Sequence, residues 1–182
     1  MHSKLSAYQG IAPVLAAGVY VHDSATVIGD VHLGEDVSIW PGVVIRGDVN
    51  HIRIGRGSNI QDLSVLHVSH KSAGDPQGSP LIVGDHVTVG HKVILHGCTI
   101  EDECLIGMGS IVMDKAVIEK QVLLAAGSLV PEGKVLQSGY LYMGSPARQV
   151  RALTADEVAY LRYSADNYIA LKNNHTKSTI PS

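Results

Sequence analysis

Three histidines could together bind a metal ion. His67, His91 and His96 lie within or beside a regular series of aliphatic residues. Imidazole nitrogens are preferred zinc ligands, and three of them around one point leave the fourth position of a tetrahedral ion open for water. Their residue type therefore predicts a catalytic zinc site, provided that the fold brings the three side chains together.

The aliphatic residues that must position these histidines recur every six residues. A helix repeats after 3.6 residues and a simple strand after two, whereas a β-solenoid with one short strand per hexad repeats after six. The series slips by three residues after Ile45, is interrupted between about 72 and 80, and slips by one after Val89. Its members are Val21, Val27, Leu33, Ile39, Ile45, Ile54, Ile60, Leu66, Val83, Val89, Ile94, Ile100, Ile106, Val112, Ile118, Leu124 and Val130. The sequence predicts an all-β solenoid that resembles a left-handed parallel β-helix, with three hexads in each triangular coil of about 18 residues.

The coil length relates the three histidines to one another. If the interrupted segment is an eleven-residue excursion, His96 lies one coil after His67, directly above it and about 4.8 Å along the axis. His91 lies almost one hexad earlier, on a neighbouring face, and cannot join the other two within its own chain. A homotrimer of such prisms would bring His91 of one chain to His67 and His96 of another, which predicts metal sites between subunits.

Polar residues flank the histidines in the preceding coils. These are Arg46, Asp48, Asn59, Gln61 and Asp62. Such groups can hold histidine tautomers and orient a metal-bound water. Because charged side chains close to a packed face need partners, we expect Arg46 to pair with Asp62 across the subunit interface.

Composition and net charge exclude several classes of protein. The chain has 182 residues, a net charge of −3, 45% hydrophobic residues, only 4% aromatic residues and 19 glycines. This composition predicts one compact domain that binds no nucleic acid. Because no long apolar span and no export-signal pattern is present, we also expect the domain to lie in no membrane and to act in the cytoplasm. The two cysteines, Cys98 and Cys104, are interpreted as small buried residues.

The predicted organisation has five parts. Residues 1–20 form an N-terminal lead-in, residues 21–133 form the β-helix with its excursion at about 72–80, and residues 134–153 form an irregular linker. Residues 154–173 form a C-terminal helix that a capping box, Thr154-Ala155-Asp156-Glu157, should open. Residues 174–182 form a flexible tail.

Several segments together resemble the gamma-class carbonic anhydrase-like family of hexapeptide-repeat proteins, over about residues 10–173. The segments are Trp40-Pro41, Val44-Ile45-Arg46-Gly47-Asp48, Ile54-Gly55, Asn59-Ile60-Gln61-Asp62, Leu66-His67, Val89-Gly90-His91-Lys92-Val93-Ile94-Leu95-His96-Gly97-Cys98 and Gly139-Tyr140-Leu141-Tyr142-Met143-Gly144-Ser145-Pro146. The resemblance implies a homotrimer with three interfacial zinc sites, with iron or cobalt as alternative metals. It also implies that CO₂ and bicarbonate are the substrates.

The resemblance assigns roles to individual residues. His67 and His96 would bind the metal from one subunit and His91 from its neighbour. Gln61 would position water or bicarbonate with support from Asn59, Asp48 would lie behind the ligands, and Arg46 would pair with Asp62. A tyrosine of the C-terminal helix would approach the pocket, for which we choose Tyr168, with Tyr163 as the alternative.

The expected chemistry is attack of a metal-bound hydroxide on CO₂, since zinc lowers the pKa of bound water to about 7. Active family members carry a glutamate beside the metal and an acidic loop that exports protons. In this sequence Val49 follows Asp48, and His70 stands where the loop glutamate is expected. His70 is either a proton shuttle, a role that imidazole side chains can take, or a solvated loop residue. The missing acids predict weak or absent CO₂ hydration.

Three other functions remain open. A metal-stabilised trimer without turnover explains the histidines and the missing acids together. Hydrolysis of a thioester by the same metal hydroxide also fits. The solenoid is shared with CoA-dependent acyltransferases, but that function uses a single histidine and gives no reason for His67 and His96 to stand one coil apart.

Overall fold

The structure of the protein is a computed structural model that describes residues 4–177. These residues form short β-strands followed by a single α-helix, α1. The strands are β1 Leu5–Ser6, β2 Val14–Leu15, β3 Tyr20–Val21, β4 Thr26–Leu33, β5 Ser38–Ile39, β6 Val44–Ile54, β7 Asn59–Ile60, β8 Val65–His67, β9 Leu81–Val83, β10 Thr88–Val89, β11 Ile94–His96, β12 Thr99–Ile100, β13 Leu105–Ile106, β14 Ile111–Val112, β15 Val117–Ile118, β16 Leu123–Leu124, β17 Leu129–Val130, β18 Val135–Leu136, β19 Tyr140–Gly144 and β20 Ala147–Ala152. Helix α1 spans Ala155–Lys177.

The strands stack into three faces, and neighbouring strands of adjacent coils run parallel within each face. The first face contains β3, β5, β7, β10, β13, β16 and β19. The second contains β8, β11, β14, β17 and the first halves of β4 and β6, while the third contains β2, β9, β12, β15, β18 and the second halves of β4 and β6. Strands β4 and β6 are long because they continue around the corner between the second and third faces. The hexad spacing is thereby confirmed as the signature of a parallel β-helix.

The core is a stack of mainly aliphatic side chains, to which most two- and three-residue strands contribute one each and the long strands β4 and β6 three each. Leu66, Leu95 and Val112 succeed one another on the second face and are completely buried. The predicted position of the one-residue slip was wrong, because Ile94 points outward and is 40% exposed. Leu95 pairs with Leu66, so the missing residue falls after His96, at the corner that contains Gly97.

The three-residue slip after Ile45 is a bulge in β6. Gly29 pairs with Gly47, but Val31 pairs with Ile52, so a single residue of β4 faces the four residues 48–51. Ile52 takes the inward position and is fully buried, whereas Val49 is 42% exposed. A bulge of this kind turns side chains away from their regular direction, and here it frees Asp48 from the hexad pattern.

Both ends of the predicted β-helix were placed too far inward. The segment predicted as an N-terminal lead-in contains β1 and β2, which pair with β4, and residues 1–3 lie outside the described residues. The segment predicted as an irregular linker, 134–153, contains β18, which continues the third face, and β19, which continues the first. Strand β20 then pairs antiparallel with β19, and this hairpin has no six-residue period by which the sequence could reveal it.

Helix α1 begins as the capping box predicts. The Glu157 amide donates to Thr154 Oγ1 at 3.2 Å, and the Thr154 amide donates to Glu157 Oε2 at 2.9 Å. The helix packs on β5, β7 and β10 of the first face, burying Leu161 and Ala165. It continues past the expected end at residue 173, and the His175 ring of its last turn packs edge-on against Trp40, with centroids 5.1 Å apart. Of the predicted flexible tail, residues 174–177 are helical and residues 178–182 lie outside the described residues.

Between residues 4 and 177, no helix has the length and apolar character needed to cross a lipid bilayer.

Candidate metal centre

Two of the three candidate ligands stand in register at the end of the second face. His67 ends β8 and His96 ends β11, and the two residues pair directly. This confirms the register predicted from the coil length, including the eleven-residue excursion between β8 and β9, whose ends are joined by the pairing of Ser69 with Ser79.

The two imidazoles face each other through one nitrogen each. His67 Nδ1 lies 3.0 Å from His96 Nε2, while His67 Nε2 lies 3.1 Å from Asp48 Oδ1 and His96 Nδ1 contacts Asp114 Oδ1. When each outer nitrogen donates its proton to a carboxylate, each inner nitrogen carries a lone pair. Two facing lone pairs repel each other unless a cation lies between them.

The spacing of the inner nitrogens fits a shared metal ion. Two nitrogens bound at about 2.0–2.1 Å to one tetrahedral zinc stand about 3.3–3.4 Å apart, close to the 3.0 Å that separates them here. A carboxylate behind a histidine ligand is the usual means of fixing its tautomer. The donor set of His67 and His96 therefore fits a divalent metal.

Asp48 and His67 are held in the protonation states that metal binding needs. Partial burial would raise the pKa of Asp48, but hydrogen bonds from Arg46 and His67 outweigh it and hold that pKa below its usual value. Burial, assisted by the Arg46 charge, lowers the pKa of His67. An ionised carboxylate and a neutral imidazole are the forms that support a bound cation.

Asp114 is a site residue that the sequence analysis missed. Besides contacting His96, it accepts a hydrogen bond of 2.7 Å from Ser69 Oγ, which ties the base of the excursion to the histidine pair. Gly97 makes room for it, since a Cβ there would lie 2.3 Å from Asp114 Oδ1, and its φ is +52°. The coil spacing could have revealed Asp114, which follows His96 by one coil of about 18 residues.

His91 lies at the other edge of the second face, at the corner that follows β10. Its Nδ1 is 2.9 Å from Asp62 Oδ2, the carboxylate at the same corner one coil earlier. No group of three or more histidine, cysteine, aspartate or glutamate side chains within residues 4–177 is arranged to hold a metal ion. The single chain thus brings His67 and His96 together and keeps His91 apart from them.

The chain does not itself pair Arg46 with Asp62. Arg46 Nη1 instead donates to Asp48 Oδ2, because the bulge turns Asp48 back toward it, and Asp62 contacts His91. The predicted pairing across an interface stays a prediction.

A groove of about 290 Å³ runs between α1 and the first face, next to His91. Gln61 and Tyr168 line it, and the Tyr168 ring packs edge-on against Trp40 with centroids 5.5 Å apart. Burial and the nearby Asp62 charge raise the pKa of Tyr168, so its phenol stays protonated. The alternative, Tyr163, is 63% exposed.

Of the remaining predicted residues, Asn59 lies beneath the groove and His70 lies outside its lining. Asn59 is fully buried and accepts a hydrogen bond of 3.1 Å from Gln61 Nε2. His70 is exposed, near the start of the excursion. Its side chain has access to solvent, which either of its two predicted roles requires.

Comparisons with known proteins agree with this architecture. The model of the family "Bacterial transferase hexapeptide (six repeats)" matches residues 12–47. "Protein YrdA" of Escherichia coli is 55% identical over 96% of this chain and 95% of its own length. "Gamma carbonic anhydrase 1, mitochondrial" of Arabidopsis thaliana is 48% identical over 90% of this chain and 59% of its own length. "Carbonic anhydrase" of Geobacillus kaustophilus is 45% identical over 89% and 85%.

Two solved structures also overlay closely on this chain. A hexapeptide transferase family protein from Anaplasma phagocytophilum is 44% identical, with a TM-score of 0.88 over 96% of this chain and 99% of its own. A putative acetyltransferase from Bacillus cereus is 40% identical, with the same TM-score of 0.88 over 95% and 96%. With identities this high over nearly the whole chain, the protein belongs to the gamma carbonic anhydrase family of hexapeptide-repeat proteins.

Proposed function

We propose that the protein is a zinc-dependent carbonic anhydrase that converts CO₂ and water reversibly to bicarbonate. The observation that carries this proposal is the in-register pair of His67 and His96, whose inner nitrogens face each other while Asp48 and Asp114 hold the outer ones. Zinc bound there lowers the pKa of a water to about 7 and so supplies hydroxide near neutral pH. Iron or cobalt could occupy the same nitrogen ligands.

The outward side of the second face supports a homotrimer. Val65, Ile94 and Ile111 form a continuous apolar column there, and each is 39–40% exposed in the single chain. The histidine pair lies at one edge of this column and His91 at the other. A second copy that covers the column would place its own His91 beside the first copy's pair, and three copies would complete three sites. In that assembly Arg46 reaches Asp62 of a neighbour.

The groove residues supply orientation and proton transfer. Gln61 offers an amide that orients hydroxide or bicarbonate without competing as a ligand, and Asn59 fixes that amide. The protonated Tyr168 bounds the groove and can donate a hydrogen bond to bicarbonate. His70 accepts the proton that hydration releases and passes it to solvent, a role that imidazole side chains can take. With one exposed histidine in place of the glutamates, we expect slow turnover.

The proposed location is the cytoplasm, where free cysteines such as Cys98 and Cys104 are usual.

The decisive measurement combines metal content with catalysis. Protein reconstituted with Zn²⁺, and anaerobically with Fe²⁺, is analysed for metal per trimer and for CO₂ hydration by stopped flow. Three metals per trimer with metal-dependent turnover is the expected result. Three metals without turnover would refute CO₂ hydration and leave a metal-stabilised trimer or a metal-dependent thioesterase, which thioester substrates distinguish.

A mixing experiment tests whether each site is shared between subunits. His67→Ala and His91→Ala should each lose zinc. Co-refolding the two variants should restore part of the zinc and turnover, because some interfaces then combine an intact pair with an intact His91. Zinc retention by either variant alone would reject the assignment.

Acyl transfer is the second candidate, because the structurally similar Bacillus cereus protein is described as an acetyltransferase. That function predicts tight binding of acetyl-CoA without any dependence on metal. Isothermal titration of the apoprotein with acetyl-CoA decides between the two functions.

A further inference from the structure

A chain of buried polar side chains connects helix α1 to the groove. Its members are Gln61, Asn59, Thr88 and Ser164, with exposed fractions of 5%, 0%, 4% and 9%. Asn59 belongs to β7, and Gln61 lies at the corner that follows it. Thr88 belongs to β10 in the next coil, and Ser164 belongs to α1. Buried polar groups in such a place are costly unless every one is paired.

The hydrogen bonds of this chain run in a single direction. Gln61 Nε2 donates to Asn59 Oδ1, Asn59 Nδ2 donates to Thr88 Oγ1, and the Thr88 hydroxyl donates to Ser164 Oγ, each at 3.1 Å. Because Thr88 Oγ1 already accepts from Asn59, its proton is directed to Ser164. Rotating one amide alone by 180° would set oxygen against oxygen or a donor against a donor, so the two amides can only turn together. The Val87 carbonyl oxygen, 3.5 Å from Asn59 Nδ2, can only accept a hydrogen bond and therefore selects the direction described.

The direction of these hydrogen bonds determines which atoms of the Gln61 amide face the groove. Its nitrogen is bound to Asn59, so Oε1 and one N–H remain for a ligand. Helix α1 reaches the same groove with Ser164 and, one turn to either side, Tyr160 and Tyr168. The helix that closes the groove therefore also anchors the chain of hydrogen bonds.

We propose that Thr88 and Ser164 are positioning residues that fix the Gln61 amide with Oε1 free to accept a hydrogen bond from hydroxide or bicarbonate in the groove. This inference rests on the proposed function. It extends the set of residues that set the reaction rate from the metal centre to the buried face of α1.

Three variants and one control test the proposal. Thr88→Val removes the hydroxyl at nearly constant shape, Thr88→Ser keeps it, and Ser164→Ala removes the far partner. Ser110→Ala is the matched control, since Ser110 is fully buried and donates to the Ala125 carbonyl at 3.2 Å, away from this chain.

On zinc-loaded protein we expect kcat/KM for CO₂ hydration to fall about tenfold in Thr88→Val and Ser164→Ala. Zinc content and oligomeric state should be unchanged in both, while Thr88→Ser and Ser110→Ala should stay near wild type. A loss in Thr88→Ser as large as in Thr88→Val would overturn the role of the hydroxyl, as would unchanged rates in both Thr88→Val and Ser164→Ala.

A second readout separates this proposal from the proposed function. Nuclear magnetic resonance measures solvent exchange of the side-chain amide protons of Asn59 and Gln61. We expect these protons to be protected in the wild type and in Ser110→Ala, and to exchange at least tenfold faster in Thr88→Val and Ser164→Ala. If the wild type hydrates no CO₂, the proposed function fails while this exchange still decides the positioning role. Equal exchange in all proteins would reject it.

Discussion

At the residue scale, the two histidines of the candidate metal centre present different nitrogens to each other. His67 presents Nδ1 and His96 presents Nε2, because their carboxylate partners lie on different sides of the rings. Asp48 is held by Arg46 and Asp114 by Ser69. Each ligand is thus fixed through two successive contacts, and a substitution can weaken metal binding without touching a ligand.

Asp114→Ala should weaken zinc binding by about 10–100-fold, since His96 loses the group that holds its tautomer and ring orientation. Competition with a chromophoric chelator measures the affinity. Asp75→Ala is the matched control, because Asp75 pairs with Lys115 in the same region and is not a partner of His96. Equal affinities of Asp114→Ala and wild type would show that Asp114 does not support the site.

His86 should make stability depend on pH. Its ring is buried and neither of its nitrogens has a hydrogen-bond partner among the described residues, with Asp166 Oδ1 3.8 Å from Nδ1. Burial, and then the Arg162 charge, lowers its pKa. Below about pH 6.5 the unfolded chain therefore binds a proton at this residue that the folded chain does not bind. As the pH decreases, the free energy of unfolding falls by up to about 1.4 kcal/mol per pH unit.

His86→Asn tests this contribution, since asparagine tolerates the positive φ of 54° at this position. Guanidinium unfolding at pH 7.5 and pH 5.5 should show a smaller loss of stability in the variant than in the wild type. Other histidines with lowered pKa, such as His51 and His67, contribute to both proteins alike. An identical loss in both proteins would exclude His86 as the source.

At the scale of the elements, the regular coils place the ligands and the irregular segments place their partners. Coil spacing alone predicted that His96 lies above His67, because stacking in a parallel β-helix is set by residue count. Residue count could not show that the bulge after Gly47 turns Asp48 toward His67 and Arg46. Nor could it show the hairpin of β19 and β20, whose antiparallel pairing has a different period.

Helix α1 depends on its first turn. Thr154→Ala removes the acceptor for the Glu157 amide and should destabilise the helix by about 1 kcal/mol, whereas Thr154→Ser should be nearly neutral. Hydrogen exchange of the α1 amides, followed by mass spectrometry, should show faster exchange in Thr154→Ala. Unchanged protection would mean that packing on the first face, rather than the cap, determines the stability of the helix.

At the scale of the whole molecule, the second face carries the apolar surface on which the proposed homotrimer would form. Ile94 lies in the centre of its apolar column and is 40% exposed, while Val135 lies on the third face and is 47% exposed. The two side chains are similar in size and exposure, so they separate a specific interface from a general effect of added charge.

Ile94→Asp should yield monomers without stable zinc, because a carboxylate would be buried between subunits without a partner. Val135→Asp should remain a trimer with three zinc ions. Size-exclusion chromatography with light scattering and metal analysis measure both outcomes. Trimers of Ile94→Asp, or monomers of Val135→Asp, would place the interface elsewhere.

The departures from the six-residue period also bear on how the chain finds its alignment. In a perfectly periodic solenoid the aliphatic positions are interchangeable, so a coil could stack one step out of place at little cost. Here the four residues 48–51 face one residue of β4, the excursion lies between β8 and β9, and one corner after His96 is a residue shorter. A misaligned coil would set segments of unequal length against each other and leave amide and carbonyl groups unpaired. The segments that bring Asp48 and Asp114 to the histidines thus also mark a single correct pairing of neighbouring coils during folding.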